Sequence, residues 1–387
     1  MVRSNKSMNP RQPIFASITL LACAAALSGC GSSTSVSNLG TIETVAGTGH
    51  LGNTGNGGPA TGAELYQPSC VVTDNSGNLY IGDSANYDVR KVALSSGVIT
   101  LYAGTGTAGF SGNGAAATKA SLYGPTACAV NAAGNLYIAD EANNQIRKID
   151  ASTGVISAVA GNAADAGTAF GGFSGDGGLA TLAEINHPWG MVFDSAGNLY
   201  FADTGNQRVR KVDASTGFIS TIAGTGDYGN SGGGGPATKA KLSNPEQLAL
   251  DHAGNLYICE QGVSVIAKLN LATGILTIVA GNGQPTETTG LGDGGPATKA
   301  GFDSPGGIAL DTAGNLYISD TGNNRVRKID ATTGIISTVA GGNQGYSGDG
   351  GPSDGAQLSN PLGLSFDSTG NLYIADSGNG VVRKITP

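Results

Sequence analysis

The tetrapeptide Gly-Asn-Leu-Tyr occurs six times in this chain of 387 residues, starting at Gly77, Gly134, Gly197, Gly254, Gly314 and Gly370. Successive copies lie 57, 63, 57, 60 and 56 residues apart, a period that assigns one supersecondary unit to each interval. Every unit reads alike. A proline (Pro68, Pro125, Pro188, Pro245, Pro305, Pro361) opens a short apolar run, and a D-x-x-G-N type of turn leads into Leu-Tyr-Ile-x-Asp. A second turn rich in Gly and Asn precedes a segment such as Arg325 to Asp330, and a third turn leads to one such as Ile335 to Gly341. Four short runs rich in β-branched and aromatic residues, separated by turn residues, predict four antiparallel strands. Proline at the start of the first strand sits where a sheet tolerates it.

Such a unit has two apolar faces and cannot bury them alone, so it stacks on its neighbours. The predicted fold is all-β: a closed six-bladed β-propeller of four-stranded antiparallel blades. Closure is legible in the register. The chain ends on a third strand, Val381 to Ile385, while residues 41–47 (Thr-Ile-Glu-Thr-Val-Ala-Gly) form a fourth strand with nothing before it. Residues 41–47 are therefore expected to complete the last blade and remove an exposed edge. The 65 glycines fit a turn-dense β protein, since they show no collagen period.

Residues 1–29 read as a signal peptide, with Arg3, Lys6 and Arg11 before an apolar stretch from Ile14 to Leu27 that is too short to span a bilayer as a helix. The segment ends Leu27-Ser28-Gly29-Cys30, which resembles the bacterial lipobox. That resemblance implies acylation of Cys30, a short tether over residues 31–40, and anchoring in the outer membrane where the cell has one, otherwise at the cell surface. The anchor is a lipid, and the propeller is expected to be monomeric. Removing residues 1–29 leaves 17 basic against 28 acidic residues. A balance of −11 without a basic cluster argues against nucleic acid as a partner. Cys70, Cys128 and Cys259 fall at apolar positions of different units and are read as small core residues.

The pattern Pro305 to Asp311, Gly314-Asn315-Leu316-Tyr317-Ile318-Ser319-Asp320 and Asn323-Asn324-Arg325-Val326 resembles the NHL-repeat family, and the likeness runs over residues 41–387. It is similar to bacterial extracytoplasmic members that carry a Ser-Gly-Asp-Gly-Gly-Pro-Ala-Thr-like insertion between blades. The resemblance implies a propeller whose relatives include ligand-binding sensor domains, adhesion modules and a few lyases, so it bears on fold more than on chemistry. Zinc in the amidating lyases of that family is held by histidines from several blades. Here the positions matching His187 are Gln67, Gly124, Asn244, Ser304 and Asn360, so that site is not expected, and no metal is assigned.

Strand alternation places the fourth-to-first and second-to-third connections on one face, and the long insertions are expected to lie there; that face is the expected binding surface. Asp83, Asp140, Asp203, Asp320 and Asp376 end the second strands, with Glu260 in blade four. They are expected to accept hydrogen bonds in their turns or to pair with Arg90, Arg147, Arg210, Arg327 and Arg383. Blade four departs at three positions together, with Glu260, Val263 and Ala267, as one local network would. Insertion residues Asp176, Asp293 and Asp349 raise calcium as a cofactor. Their counterparts, read as Asn56, Asn113 and Gly234, and the lack of a D-x-[DN]-x-[DN]-G loop favour turn stabilisation and no cofactor. The G-x-G-x-x-G run at Gly104 recurs with the repeat at Gly47 and Gly224 before a loop, where a dinucleotide site would need a helix.

Residues that break the repeat carry the functional expectation. At the mouth of the ring, blade three has His187-Pro188-Trp189 and blade four has Glu246-Gln247, where other blades carry Ser69, Thr126, Gly306 or Leu362. A tryptophan beside an imidazole and a carboxylate suits a glycan or peptide. The candidate ligand-binding residues are His187, Trp189, Glu246, Gln247 and Glu260, and no catalytic residue is assigned. The expected role is a non-catalytic recognition or scaffold module for a protein, peptide or glycan. The competing role is a hydrolase or lyase using carboxylates at the funnel.

Overall fold

A computed structural model describes residues 40–168, 171–284 and 291–387. The expected signal peptide, Cys30 and nearly all of the tether lie outside the described residues. The recurring Asp-x-x-Gly-Asn-Leu-Tyr sequence explains itself at the first turn. Asp194 Oδ1 accepts the Ala196 and Asn198 main-chain N–H groups (3.0 and 2.9 Å), and Oδ2 accepts the Asn198 amide (2.7 Å) and the Tyr200 hydroxyl (3.1 Å). Gly197 stands at φ +83°, a left-handed conformation that costs a residue with a Cβ. Blades one, four and six build the same turn on Asp74, Asp251 and Asp367.

Four antiparallel strands follow in each of six sheets. In blade three they are Pro188–Phe193, Leu199–Asp203, Arg208–Val212 and Ile219–Ala223; in blade four, Pro245–Leu250, Asn255–Glu260, Val265–Asn270 and Ile275–Ala280. Blade five differs at its opening. Its first strand is Gly307–Leu310, two residues after the expected Pro305. In the last sheet, Thr41–Ala46 pairs with Val381–Thr386 in the register Thr41↔Thr386, Ile42↔Ile385, Glu43↔Lys384. The N-terminal strand therefore closes the ring, as the register in the sequence predicts.

Six apolar clusters, one between each pair of neighbouring blades, make the core. The insertions help build them. Ala60, Ala63 and Leu65 pack between blades six and one, and Ala237, Ala240 and Leu242 between blades three and four. The Gly-Gly-Pro-Ala stretch pairs with the start of the fourth strand of the blade that follows it: Gly57 N–H donates to Ile99 O (2.8 Å), Ile99 N–H to Gly58 O (3.0 Å) and Ala60 N–H to Gly97 O (2.7 Å). Equivalent bonds recur at every blade. The insertions thus begin on the long-loop face but spend their length capping outer sheet edges and filling wedges. That use explains their repetition, and it limits pairing with other chains.

The cysteines need a correction. Cys70 and Cys128 form a disulfide, with Cα atoms 6.0 Å apart, and among the described residues Cys259 is the one free, buried thiol. Both bonded cysteines lie on first strands of adjacent blades, Pro68–Thr73 and Pro125–Val130, which run side by side around the axis. Their different distances from the opening proline hid the pairing in the sequence.

Candidate functional site at the mouth of the ring

The second strand of each blade ends at an acidic residue that fixes the long-loop face. Asp203 is fully buried; its Oδ1 accepts the Asn186 N–H (2.7 Å), and Asn206 donates to both oxygens (3.0 Å). Arg210 donates to Asp203 Oδ2 at 3.0 Å and to insertion residue Asp176 at 2.8 Å. Arg90, Arg147, Arg327 and Arg383 likewise reach Asp83, Asp140, Asp320 and Asp376 on one side. On the other side they reach Asn56, Asn113, Asp293 and Asp349. Burial raises these carboxyls, while the amide, main-chain and guanidinium partners pull them back down. The expectation of a structural Asp–Arg network holds, and the insertion Asp residues prove to be its third members. Each such pair is separated by 34 residues. The same offset from Ala267 falls on Gly233, so Gly233 and not Gly234 is the blade-four counterpart.

Blade four has lost this network. Ala267 and Gly233 replace the arginine and its insertion partner, and Glu260, 1% exposed, is held by a single N–H from Ser243 at 3.1 Å. Burial pushes its carboxyl up to about 8. Glu260 therefore belongs to the interior of blade four and does not line the mouth, because it occupies the strand-end position that is inward-facing in every blade. The folded chain holds a proton that an unfolded glutamate, ordinarily at 4.5, has lost. This contribution to stability is complete below about 4.5 and is lost as pH rises towards 8. Glu260→Gln removes that dependence. The variant should be within about 1 kcal/mol of the parent near pH 5 and exceed it by up to about 5 kcal/mol at pH 9. Urea melts at both pH values check this, and a variant with the parent's pH slope would show that Glu260 is ionised in the fold.

The mouth itself is a cavity of about 560 Å³ on the axis, within the range of small-ligand sites. Trp189, Gln67, Ser69, Thr126, Gln344 and Asn360 are among its walls. Ser69, Thr126, Trp189, Glu246, Gly306 and Leu362 each follow a first-strand proline and so occupy equivalent places around the ring. Trp189 is half-buried and packs against the clusters on both sides of blade three. Its two neighbours in this series are both short of partners. Thr126 Oγ1 is buried with no hydrogen bond among the described residues. The Glu246 carboxylate, 6% exposed, has no hydrogen bond or ion pair among the described residues, and burial pushes it up to about 8. A Cβ on Gly306 would stand 2.7 Å from Leu362 Cδ2 and 3.0 Å from Thr321 Oγ1, with Glu246 Oε2 at an ordinary 3.6 Å, so the missing side chain there makes room for Leu362 and Thr321, two of the cavity walls.

The remaining candidates lie apart. His187, at φ +47°, pairs through Nδ1 with Glu141 of blade two, and its N–H donates to Asn144 Oδ1 at 2.9 Å. Gln67, Gly124, Asn244, Ser304 and Asn360 share its left-handed backbone, so the position is a recurring bend and His187 ties two blades at the rim. Gln247 lines a separate axial space of about 230 Å³, walled also by Val71, Met191 and Leu364. Of the candidates, the structure thus keeps Trp189 in the mouth cavity, leaves Glu246 outside its walls, and adds Thr126, Gln67, Gln344 and Asn360, which sequence reasoning passed over. The places next to the opening prolines were readable from the repeat. The insertion residue Gln344 carried no signal. Among the described residues, no group of three or more His, Cys, Asp or Glu is arranged to hold a metal.

Comparison with known proteins follows the same lines. Residues 270–347 match the model of the teneurin NHL domain. Teneurin-4 of Mus musculus is 29% identical over 357 residues, covering 85% of this chain and 12% of that protein. NHL repeat-containing protein 2 of Bos taurus is 27% identical over 273 residues, covering 64% and 37%. The chain therefore spans only a minor part of these relatives. Among solved structures, an auxiliary nutrient binding protein from Bacteroides thetaiotaomicron shares the fold with a TM-score of 0.63 at 18% identity, over 89% of this chain and 76% of that one. The six repeated units and the closed ring of four-stranded blades make the chain a six-bladed β-propeller, and these matches make it similar to NHL-repeat proteins.

Proposed function

We propose that the protein is a non-catalytic recognition module of the cell envelope, binding its ligand at the axial mouth of the long-loop face. The observation that carries this reading is a sizeable cavity walled by Trp189 and by Thr126, whose buried Oγ1 lacks a hydrogen bond among the described residues. Buried polar groups without partners are uncommon in folded proteins and ask for an explanation. A rigid ring supplies pre-organised walls, which lowers the entropy cost of binding. The nutrient-binding description of the Bacteroides protein with the same fold and the NHL-domain relatives are consistent with recognition. A protein, peptide or glycan of the envelope is the proposed class of partner.

We place the module outside the cytoplasm, held by a lipid on Cys30. The basic-then-apolar leader and the Leu-Ser-Gly-Cys sequence support this. The Cys70–Cys128 disulfide fits an oxidising compartment. The test is retention of envelope material by the immobilised full-length protein. Retention should fall with Trp189→Ala and return with Trp189→Phe. Equal retention by all three would place recognition elsewhere on the ring.

A further inference from the structure

Resting on the reading above, the geometry points to an uncharged saccharide as the ligand of the mouth, with one sugar ring stacked on Trp189 and its hydroxyls met by the hydroxyl and amide side chains around it. The walls carry the argument. Gln67, Ser69, Thr126, Gln344 and Asn360 supply hydroxyls and carboxamides, groups that both donate and accept. Among the described residues, no Lys, Arg, His, Asp or Glu lines the cavity. An anionic ligand would find no cation there, and it would approach a strongly acidic protein against the field.

A cationic ligand would find no carboxylate among the described walls either. The Thr126 hydroxyl, buried and with no hydrogen bond among the described residues, can both donate and accept beside the indole. Trp189 presents an apolar surface with a polar edge, a combination that suits the apolar face of a pyranose ringed by hydroxyls.

A peptide fits less well. Strand addition needs an exposed sheet edge, and here the insertions bond to the outer strand of every blade. Extended proline-rich ligands need a groove lined by several aromatics, whereas Trp189 is the one aromatic among the described cavity walls. Cavity size agrees as well: about 560 Å³ accommodates a short saccharide and not a folded domain.

The experiment is binding of the full-length protein to an array of defined oligosaccharides, neutral (gluco-, manno-, xylo- and galacto-oligosaccharides) and charged (oligogalacturonates and chitosan oligomers), with calorimetry on the best neutral binder. A neutral oligosaccharide should bind. Trp189→Ala should weaken it by at least about tenfold and Thr126→Val by a few-fold. Trp189→Phe should restore most of the affinity, which separates stacking from folding. Preference for the charged probes, or no neutral oligosaccharide bound, overturns the saccharide assignment. If envelope material is still retained through Trp189 in that event, recognition at the mouth survives and only the ligand class fails. Saccharide binding unaffected by all three variants would overturn both.

Discussion

Deletion of residues 41–47 is expected to abolish the single cooperative melt of the propeller. The strand Thr41–Ala46 buries Ile42 and Ala46 completely and pairs with residues Val382 to Thr386, with a register shift between Thr44 and Ala46. It also anchors the last insertion, through Gly350 N–H to Ile42 O (2.8 Å), Ile42 N–H to Gly351 O (3.1 Å) and Ser353 N–H to Gly40 O (3.0 Å). Losing it removes buried side chains, a ladder of hydrogen bonds and the cap of one sheet edge together. A loss of 5 kcal/mol or more is expected, at roughly 1.5–3 kcal/mol for a fully buried isoleucine and about 1 kcal/mol for each ladder bond. That rivals the whole stability of an ordinary domain, roughly 5–15 kcal/mol. Calorimetry and size-exclusion chromatography read the result. A broad or early transition with association through the bared strand is expected, and a synthetic peptide of residues 40–48 supplied in excess should partly restore the parent melt by strand addition. A truncated chain melting as one transition within a few degrees of the parent would show that the ring does not depend on this closure.

That closure was legible because counting strands in a repeat is arithmetic: a third strand at one end and a fourth at the other leave one way to complete six equal units. The Asp–Arg pairing was legible for a related reason, since Glu260, Val263 and Ala267 change together in one copy. The third partner was not. Asp176, Asp293 and Asp349 sit 34 residues before their arginines, and a glycine run allowed a one-residue slip to Gly234. The disulfide was hidden because Cys70 and Cys128 stand two and three residues after their prolines, so the repeat itself does not align them. Only adjacency of two innermost strands brings them together. At the mouth, Trp189 and Glu246 announced themselves as departures from small residues. The missing partners of Thr126 and Glu246 are facts of packing between blades, and no pattern along the chain encodes them.

Replacing one network arginine should be nearly as costly as opening the ring. Arg327 is fully buried and donates to Asp320 Oδ2 (3.1 Å), Asp293 Oδ1 (2.7 Å), Leu291 O (3.0 Å) and Gly301 O (3.4 Å). One guanidinium thus ties the end of the second strand to two points of the insertion that caps blade five. Arg327→Leu leaves Asp320 buried beside the Asn323 amide and the Asp303 N–H but without a cation. Breaking a buried pair from one side costs about 3–5 kcal/mol. The sign of the pH dependence follows. Without Arg327 the Asp320 carboxyl moves further up, so its neutral form stabilises the variant at low pH and is lost as pH rises through the new value. The penalty of Arg327→Leu should therefore be smaller at pH 5 than at pH 8, and adding Asp320→Asn should recover much of it at pH 8. Blade four is the natural precedent: with Ala267 in place of the arginine, its acidic residue persists only as a carboxyl pushed up to about 8. Equilibrium urea melts of the two variants at both pH values decide the matter. A pH-independent penalty that Asp320→Asn fails to relieve would mean that Arg327 acts through its carbonyl contacts and packing on Phe302, not through the buried charge.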